Sequence, residues 1–382
     1  MISEEDIYRE LQIHLDKLAV GFPETDSGVE IRVLKHLFTP MEARIASKLG
    51  QVPENVNRIY RRVKKIVKSK EELKNHLETM DKNGAIFGKK KWRKAYYRNQ
   101  ILAVGMYEYQ INRVTKEFME DMVQYLDESF GSELTSIDVY QSRIIPVEKI
   151  LPYNNQIYSF DDVRYLIKKS KKIAVADCIC RIGYDRMGKK CKQTELRESC
   201  LIFGGPANYY SSHGFGRRIT KDEALVIIKK AEEEGLVLQV GNSRKMSFIC
   251  TCCQCCCGAL ISAKRLPKSA EFYKNNYFAE INPELCSGCE TCVSRCQMSA
   301  IEAHNRQLII DYDNCIGCGL CVTTCPENAI VLKKNNVKFR PPRGPYWLFL
   351  KILKRKRGRW SVFKVILEFI FKTRLFYLLR RS

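Results

Sequence analysis

The 382-residue chain contains two matching cysteine runs, Cys286-Ser-Gly-Cys289-Glu-Thr-Cys292-Val-Ser-Arg-Cys296 and Cys315-Ile-Gly-Cys318-Gly-Leu-Cys321-Val-Thr-Thr-Cys325. Both follow the pattern C-x2-C-x2-C-x3-C, and the second begins 29 residues after the first. Three thiols in so short a loop can hold one face of a compact inorganic group, and glycines let the backbone approach it closely. The fourth cysteine of each run is left to act elsewhere.

This spacing is typical of runs that ligate [4Fe–4S] clusters, in which the fourth cysteine of each run serves the other cluster. Zinc ribbons are the alternative, but they pair C-x2-C knuckles and do not need four cysteines in eleven residues, twice. We therefore expect two clusters. The predicted ligands are Cys286, Cys289, Cys292 and Cys325 for one cluster, and Cys315, Cys318, Cys321 and Cys296 for the other.

Residues 280–332 resemble a two-cluster bacterial-type ferredoxin domain, with Ala300-Ile301 and Ala329-Ile330 following the two runs. The resemblance implies a low-potential one-electron carrier with a two-stranded, two-helix fold. Gln297 departs from it, because the first run usually has proline there; the substitution leaves the ligands intact and concerns only the local turn. The layout of the whole chain is similar to iron–sulfur proteins of anaerobes, which implies no particular activity.

Ten further cysteines lie in the centre of the chain and match no standard ferredoxin run. They are Cys178, Cys180, Cys191 and Cys200, followed by Cys250, Cys252, Cys253, Cys255, Cys256 and Cys257. Free buried cysteines behave as small apolar residues, but six of them within eight residues are too crowded for that explanation alone. Soft thiolates select Fe–S clusters, zinc or Cu(I). We expect an additional site or sites here, with a further Fe–S cluster favoured over zinc by analogy with the neighbouring runs.

The formal net charge of +22 comes from two segments. Residues 58–98 hold 15 Lys and Arg against 4 acids, and residues 333–382 hold 16 against a single acid, Glu368. Each segment requires an anionic partner or a solvated surface. The start of the chain, Met1-Ile-Ser-Glu-Glu-Asp, has no basic or apolar leader region. We therefore expect a cytoplasmic protein, in which clustered cysteines bind metal rather than form disulfides.

Residues 1–130 are predicted to be mainly helical, with capping boxes at Thr39 and Ser69 and a short basic helix from Pro53 to Val63. A hairpin is predicted over 85–98, turning at Gly88-Lys89. This order resembles a winged helix-turn-helix domain, which implies DNA contacts from residues 57–62 and 89–94. A solvated basic face or a protein contact are the alternatives, because charge alone is unspecific.

Residues 361–379 are strongly apolar, but Lys364, Glu368 and Lys372 interrupt them at four-residue intervals. A membrane span needs ~20 mostly apolar residues, so we expect residues 342–382 to form an interfacial helix on anionic lipid. A helix that docks on a partner subunit is the alternative.

The predicted fold class is α+β and multidomain. Its parts are a winged-helix-like domain (1–130), a cysteine-rich α+β region (131–279), a two-cluster ferredoxin domain (280–332) and a basic amphipathic tail (333–382). No nucleotide-binding loop or nucleophile elbow is present. We expect a non-enzymatic carrier that relays single electrons to a partner oxidoreductase. The alternative is a redox-sensing, DNA-binding transcriptional regulator.

Overall fold

The computed structural model of the chain describes residues 3–91, 94–147, 161–305, 307–336 and 338–372. Contacts between residues divide the chain into two units. The first unit comprises residues 1–137 together with 349–382, and the second comprises residues 138–348. The chain is thus multidomain and mixes helices with strands, as the sequence predicts. The finer division into four parts stays a prediction.

Short capping motifs set the helix starts in the first unit. Thr39 accepts a hydrogen bond from the Glu42 backbone, and Ser69 accepts one from Glu72, so both predicted starts are confirmed. The short basic helix between these two does not start at Pro53 as predicted. Its first residue is Val56, because the two residues before it pair with a later strand. The elements are α1 (Glu4–Asp16), α2 (Val29–Leu37), α3 (Pro40–Ala46), β1 (Glu54–Asn55), α4 (Val56–Val63) and α5 (Lys70–Lys82).

A hairpin of β2 (Ile86–Lys91) and β3 (Lys94–Asn99) follows, and β1 joins it in a three-stranded antiparallel sheet ordered β1-β3-β2. The hairpin is confirmed, but its predicted turn is wrong. Gly88 lies within β2, opposite Tyr97. A Cβ atom at Gly88 would stand 2.4 Å from the Asp81 carboxyl group, which accepts the Gly88 N–H at 2.6 Å. Close approach of α5 therefore explains this glycine. Helices α6 (Lys116–Tyr125) and α7 (Gly131–Thr135) complete this part of the chain.

The second unit is built on a six-stranded antiparallel sheet. The elements are β4 (Ser142–Ile145), α8 (Val163–Lys169), β5 (Ile173–Asp177), α9 (Ile179–Arg186), β6 (Glu198–Phe203), α10 (Gly205–His213), β7 (Arg217–Arg218), α11 (Lys221–Glu233), β8 (Val237–Gly241) and β9 (Phe248–Cys252). The strands are ordered β4-β8-β9-β6-β5-β7. The predicted hairpin over 236–249 is confirmed as β8 and β9, and it extends far enough to place Cys250 and Cys252 in the sheet.

The cysteine runs lie in a smaller substructure of the second unit that combines short helices with two antiparallel ribbons. The elements are α12 (Gly258–Lys264), α13 (Ser269–Tyr273), β10 (Tyr277–Ile281), α14 (Thr291–Arg295), β11 (Ile301–His304), β12 (Gln307–Ile310), α15 (Leu320–Thr324) and β13 (Ile330–Lys334). One ribbon pairs β10 with β13, and the other pairs β11 with β12. Helices α14 and α15 each begin within a cysteine run. The fold therefore presents the cysteines on matching loop and helix positions.

A buried ion pair within the second unit fixes this substructure beside the large sheet. Arg143 of β4 contacts Asp161 at 3.3 Å, and both side chains are almost fully buried. Asn276 donates a hydrogen bond to the same carboxylate at 2.8 Å and precedes β10 directly. Removing one partner of such a pair would leave a buried charge uncompensated. The start of β10 is thereby tied to β4.

The final helix, α16 (Pro345–Lys372), is interrupted at Gly358, whose φ of 76° and ψ of 178° are not helical. Before the break, Ile352 and Leu353 are buried. Lys356 and Arg357 form ion pairs with Glu133 and Asp16 of the first unit. Residues 349–357 are therefore an integral part of the first unit, which the sequence did not reveal. Residues 373–382 of the predicted tail lie outside the described residues. Among the helices of the described residues, none combines the length with the apolar character that a bilayer span requires.

Candidate metal centres

The two cysteine runs adopt the same backbone conformation at positions 29 residues apart. Gly288 and Gly317 have φ of 70° and 61°, and Ser299 and Asn328 both have φ of 53°. Left-handed backbone is rare for residues other than glycine. Its recurrence at equivalent positions shows that both loops wrap around their cysteines in the same way.

Backbone amides donate to the last cysteine of each run. The Ala300 N–H donates to Cys296 Sγ at 3.3 Å, and the Ala329 N–H donates to Cys325 Sγ at 3.3 Å. Hydrogen bonds of this kind stabilise the thiolate form and tune the reduction potential of a cluster. These alanines are the ones that follow the two runs in the predicted ferredoxin resemblance.

The structure gathers the cysteines of one predicted cluster around a single pocket. Its lining combines three cysteines of the second run with the last cysteine of the first: Cys315, Cys318, Cys321 and Cys296. We name these four the inner quartet. Burial raises the pKa of the Cys318 thiol to about 12, and the neighbouring Cys296 adds to the rise. Deprotonation here therefore requires a positive charge, which bound metal would supply.

The other predicted set, Cys286, Cys289, Cys292 and Cys325, is named the outer quartet. Cys289 is exposed, and a hydrogen bond from the Thr291 hydroxyl lowers its pKa. Cys292 is buried in the same apolar cluster as Cys321, and Cys325 packs against that cluster. The two quartets thus share one core but differ in their exposure to solvent.

Gln297, the departure from the ferredoxin pattern, has a structural role. It is 1% exposed. Its side-chain oxygen accepts the Gln254 N–H at 2.9 Å, and its side-chain nitrogen donates to Gln193 at 3.2 Å. Gln254 lies within the central six-cysteine patch. Proline could not make these bonds, so Gln297 links the first run to the central cysteines, a connection that sequence reasoning missed.

Four of the ten central cysteines come together in one group: Cys191, Cys253, Cys255 and Cys256. All four sulfur atoms lie within 4.8 Å of one another. We name them the central quartet. Three come from the turn between β9 and α12, while Cys191 comes from the loop after α9, 62 residues before Cys253. The sequence offered no signal for choosing these four.

The remaining central cysteines make separate contacts and are named the flanking thiols: Cys178, Cys180, Cys200, Cys250, Cys252 and Cys257. A hydrogen bond from Cys180 and the charge of Arg181 lower the pKa of Cys178 to about 6. Cys250 is hydrogen-bonded with Cys200 and Cys252. The ten cysteines that the sequence offers as one pool of metal ligands are therefore divided between two neighbourhoods.

Arg181 lies between these neighbourhoods and is 1% exposed. Its guanidinium donates to the Leu196 carbonyl at 3.0 Å, to Ser199 Oγ at 2.9 Å and to the Thr251 carbonyl. The charges of Cys178 and Cys253 both raise its pKa. A buried cation is costly unless it is paired, so Arg181 offers a fixed positive charge to thiolates on both sides.

Comparison with known families identifies the cysteine runs. The model of the 4Fe-4S binding domain matches twice, at residues 279–302 and 308–331. Neither the curated proteins nor the solved structures returned a match to this chain. The chain therefore contains two 4Fe-4S binding domains, consistent with a two-cluster ferredoxin. Iron–sulfur binding, predicted from the spacing, is supported.

Gly317 offers a test of the inner pocket. A Cβ atom there would lie 2.1 Å from the Tyr277 carbonyl oxygen, a backbone atom of β10 that cannot move aside. We expect Gly317→Ala to displace the loop that carries Cys315 and Cys318. Iron and sulfide content should fall by about half, the share of one of two clusters.

Gly188→Ala is the matched control. Gly188 also has positive φ (+74°), but no atom lies within 4 Å of its added Cβ. This variant should incur only about 1–2 kcal/mol of backbone strain and keep its full iron content. Full iron content in Gly317→Ala would contradict the assigned geometry of the pocket.

Proposed function

We propose that this chain is a cytoplasmic electron-transfer protein that passes single electrons through two [4Fe–4S] clusters to a partner oxidoreductase. The observation that carries the proposal is the pair of 4Fe-4S binding domains, whose eight cysteines recur on equivalent backbone positions. The inner and outer quartets are the proposed ligands. Clustered reduced thiols suit a reducing compartment.

The shared core supports transfer between the clusters. Each quartet includes one cysteine from the other run, so neither loop can hold a complete cluster alone. Cys292 of the outer quartet and Cys321 of the inner quartet are buried in one apolar cluster with Ile301 and Ile330. This arrangement places both proposed redox centres against one apolar core, which suits a relay of electrons.

The outer quartet is more exposed to solvent than the inner quartet, and this difference indicates where electrons enter or leave the protein. Cys289 of the outer quartet is exposed, and Leu285, which precedes this run, is 54% exposed. Electron exchange requires close approach of donor and acceptor. We therefore place the docking surface of the redox partner at the outer quartet. Electrons would then pass between the outer and inner clusters inside the protein. Exposure and hydrogen bonding also tune the potential of each cluster.

Single-ligand variants test the relay. Anaerobically purified wild-type protein should contain about eight iron and eight sulfide per chain, and its reduced EPR spectrum should show two interacting clusters. Cys318→Ser should remove the inner cluster and leave an isolated signal. It should still accept electrons from a low-potential donor, because the exposed outer cluster remains.

Cys289→Ser is the matched variant of the outer quartet. It should perturb the outer cluster and slow electron uptake more than Cys318→Ser does. Iron-free wild-type protein, even after reconstitution, would refute the proposed function. Full electron uptake by Cys289→Ser would refute the assignment of the docking surface.

As a second candidate function, we propose a redox-sensing regulator that binds DNA through the first unit. What supports it is the β1-β3-β2 sheet beside α4 and α5, with exposed cations on and after α4 and on the hairpin. Not all of the expected contacts are available: Ile59 is buried, Arg58 is half-buried, and Arg62 donates two hydrogen bonds to Glu54 at 2.9 and 2.6 Å. Of the expected hairpin residues, Trp92 and Arg93 lie outside the described residues. The exposed cations are Arg61, Lys64, Lys65, Lys89, Lys90 and Lys94.

An anaerobic gel-shift series distinguishes this candidate from the carrier. If the regulator proposal is correct, the protein retards a DNA duplex of preferred sequence in the gel in one redox state and not in the other. Replacing Lys89 and Lys90 by alanine should weaken DNA binding. The slope of the logarithm of the binding constant against the logarithm of the salt concentration should become shallower by about one for each lost phosphate contact. Lys229→Ala is the control, because Lys229 is a 68% exposed lysine of the second unit. Absence of any redox-dependent, sequence-preferring shift removes the regulator.

We propose that the second half of α16 makes a peripheral contact with anionic lipid. Trp360 and Phe363 are 76% and 51% exposed, with ring centroids 6.0 Å apart, and Arg359 and Lys364 beside them are exposed cations. Aromatic rings next to cations are typical of interfacial helices. A partner subunit that docks on the same face is the alternative.

A substitution tests this contact better than truncation, since residues 349–357 belong to the first unit. Trp360→Ala/Phe363→Ala should abolish co-sedimentation with phosphatidylserine vesicles. Val226→Ala, which removes a 66% exposed side chain of α11, should pellet like wild type. Unchanged pelleting of the double variant would count against the lipid contact.

A further inference from the structure

The central quartet has closely spaced sulfur atoms. Cys191 Sγ lies 3.7 Å from Cys253 Sγ and 3.6 Å from Cys255 Sγ. Cys255 Sγ lies 3.5 Å from Cys253 Sγ and 3.7 Å from Cys256 Sγ. The four thiols therefore surround a point rather than form a chain along the surface.

These separations match four ligands on one ion. A Zn–S bond of about 2.3 Å places the corners of a regular ZnS₄ tetrahedron about 3.8 Å apart. Ligands of a [4Fe–4S] cube each bind a different iron, so they must lie farther apart than ligands of a single ion. Ligands of a [2Fe–2S] centre form two separated pairs, whereas every pair in the central quartet lies within 4.8 Å.

The ferredoxin quartets provide a comparison within the same molecule. Among the described residues, the central quartet is the one group of three or more potential ligand residues whose ligand atoms all lie within 4.8 Å. Neither the inner nor the outer quartet, both fully described, is that compact. The sulfur atoms of the inner and outer quartets are thus more widely spaced than the sulfur atoms of the central quartet.

The surroundings suit an anionic metal site. Cys191, Cys253 and Cys256 are buried, and Cys255 is half-buried. The buried Arg181 guanidinium interacts with Cys253 and is held in place by the Leu196 and Thr251 carbonyls. Four thiolates around a divalent ion carry a net charge of −2, so a fixed cation beside them offsets part of the cost of burial.

We propose that Cys191, Cys253, Cys255 and Cys256 bind a single zinc ion in a closed tetrahedral site. Binding converts four thiols and one Zn²⁺ into a tetrathiolate complex and releases four protons, with no change of oxidation state. This inference is independent of electron transfer through the ferredoxin clusters. It also replaces the further Fe–S cluster that analogy favours for these four residues.

The site acts as a cross-link. It joins the loop after α9 to the turn between β9 and α12. Gln254, between two of the ligands, donates its N–H to Gln297, which directly follows the inner-quartet ligand Cys296. Zinc therefore fixes the surface on which the first cysteine run rests, and it carries no electron itself.

Zinc analysis with X-ray absorption at the zinc edge tests the proposal on the anaerobically purified full chain. We expect one zinc per chain, with a single shell of four sulfur atoms at about 2.3 Å and no neighbouring metal. Substoichiometric zinc, a nearby iron, or mononuclear iron in place of zinc would each overturn the assignment. This measurement needs no variant and so does not depend on a mutant that folds.

Two serine variants locate the site. Cys255→Ser should lose zinc while the inner and outer quartets keep their iron and sulfide. Cys252→Ser is the matched control, because Cys252 is buried one residue before Cys253 but hydrogen-bonds to Gln239 at 3.5 Å. It should keep zinc. Loss of iron and sulfide with zinc unchanged in Cys255→Ser, or loss of zinc in Cys252→Ser, would refute the proposal.

Discussion

Burial of sulfur is the constraint on which the second unit depends. A thiol surrounded by protein resists deprotonation, as the raised pKa of Cys318 shows, while metal ligands must be thiolates. Such a site is stable only when cations and amide donors compensate the negative charge. Iron would supply that charge at the inner quartet, and Arg181 already supplies part of it among the central cysteines. The fold is organised to place these compensating groups beside sulfur.

The two 4Fe-4S binding domains meet this constraint through local backbone geometry that repeats 29 residues later in the chain. Left-handed residues at equivalent positions turn each loop inwards, and the Ala300 and Ala329 amides then donate to the last sulfur of each run. The second run meets a further restriction, because Gly317 lies directly against the Tyr277 backbone of β10. Ligand position is therefore fixed by the ribbons as much as by the cysteine loops.

The large antiparallel sheet has a different part in this organisation. It brings β6 and β9 side by side, so that cysteines from distant parts of the sequence become neighbours. Gln297 then connects this region to the first run, next to Cys296. With zinc at the central quartet, as proposed, the protein would assign its thiols to two tasks: the proposed electron transfer in the two 4Fe-4S binding domains, and cross-linking of the loops on which the first of these domains rests.

Much of the architecture followed from local sequence signals. Capping residues such as Thr39 and Ser69 specify helix starts within four residues, and the spacing of the two cysteine runs specifies three thiols per loop. Some local predictions failed where a distant contact decided the outcome. Gly88 is a glycine because Asp81 approaches it, and α4 begins at Val56 because β1 pairs with β3. Sequence alone determined the existence of two iron–sulfur loops, since the cysteine spacing that identifies each loop lies within eleven consecutive residues. Only the tertiary structure decided which of the ten central cysteines meet, because Cys191 reaches Cys253 across 62 residues through the packing of a sheet.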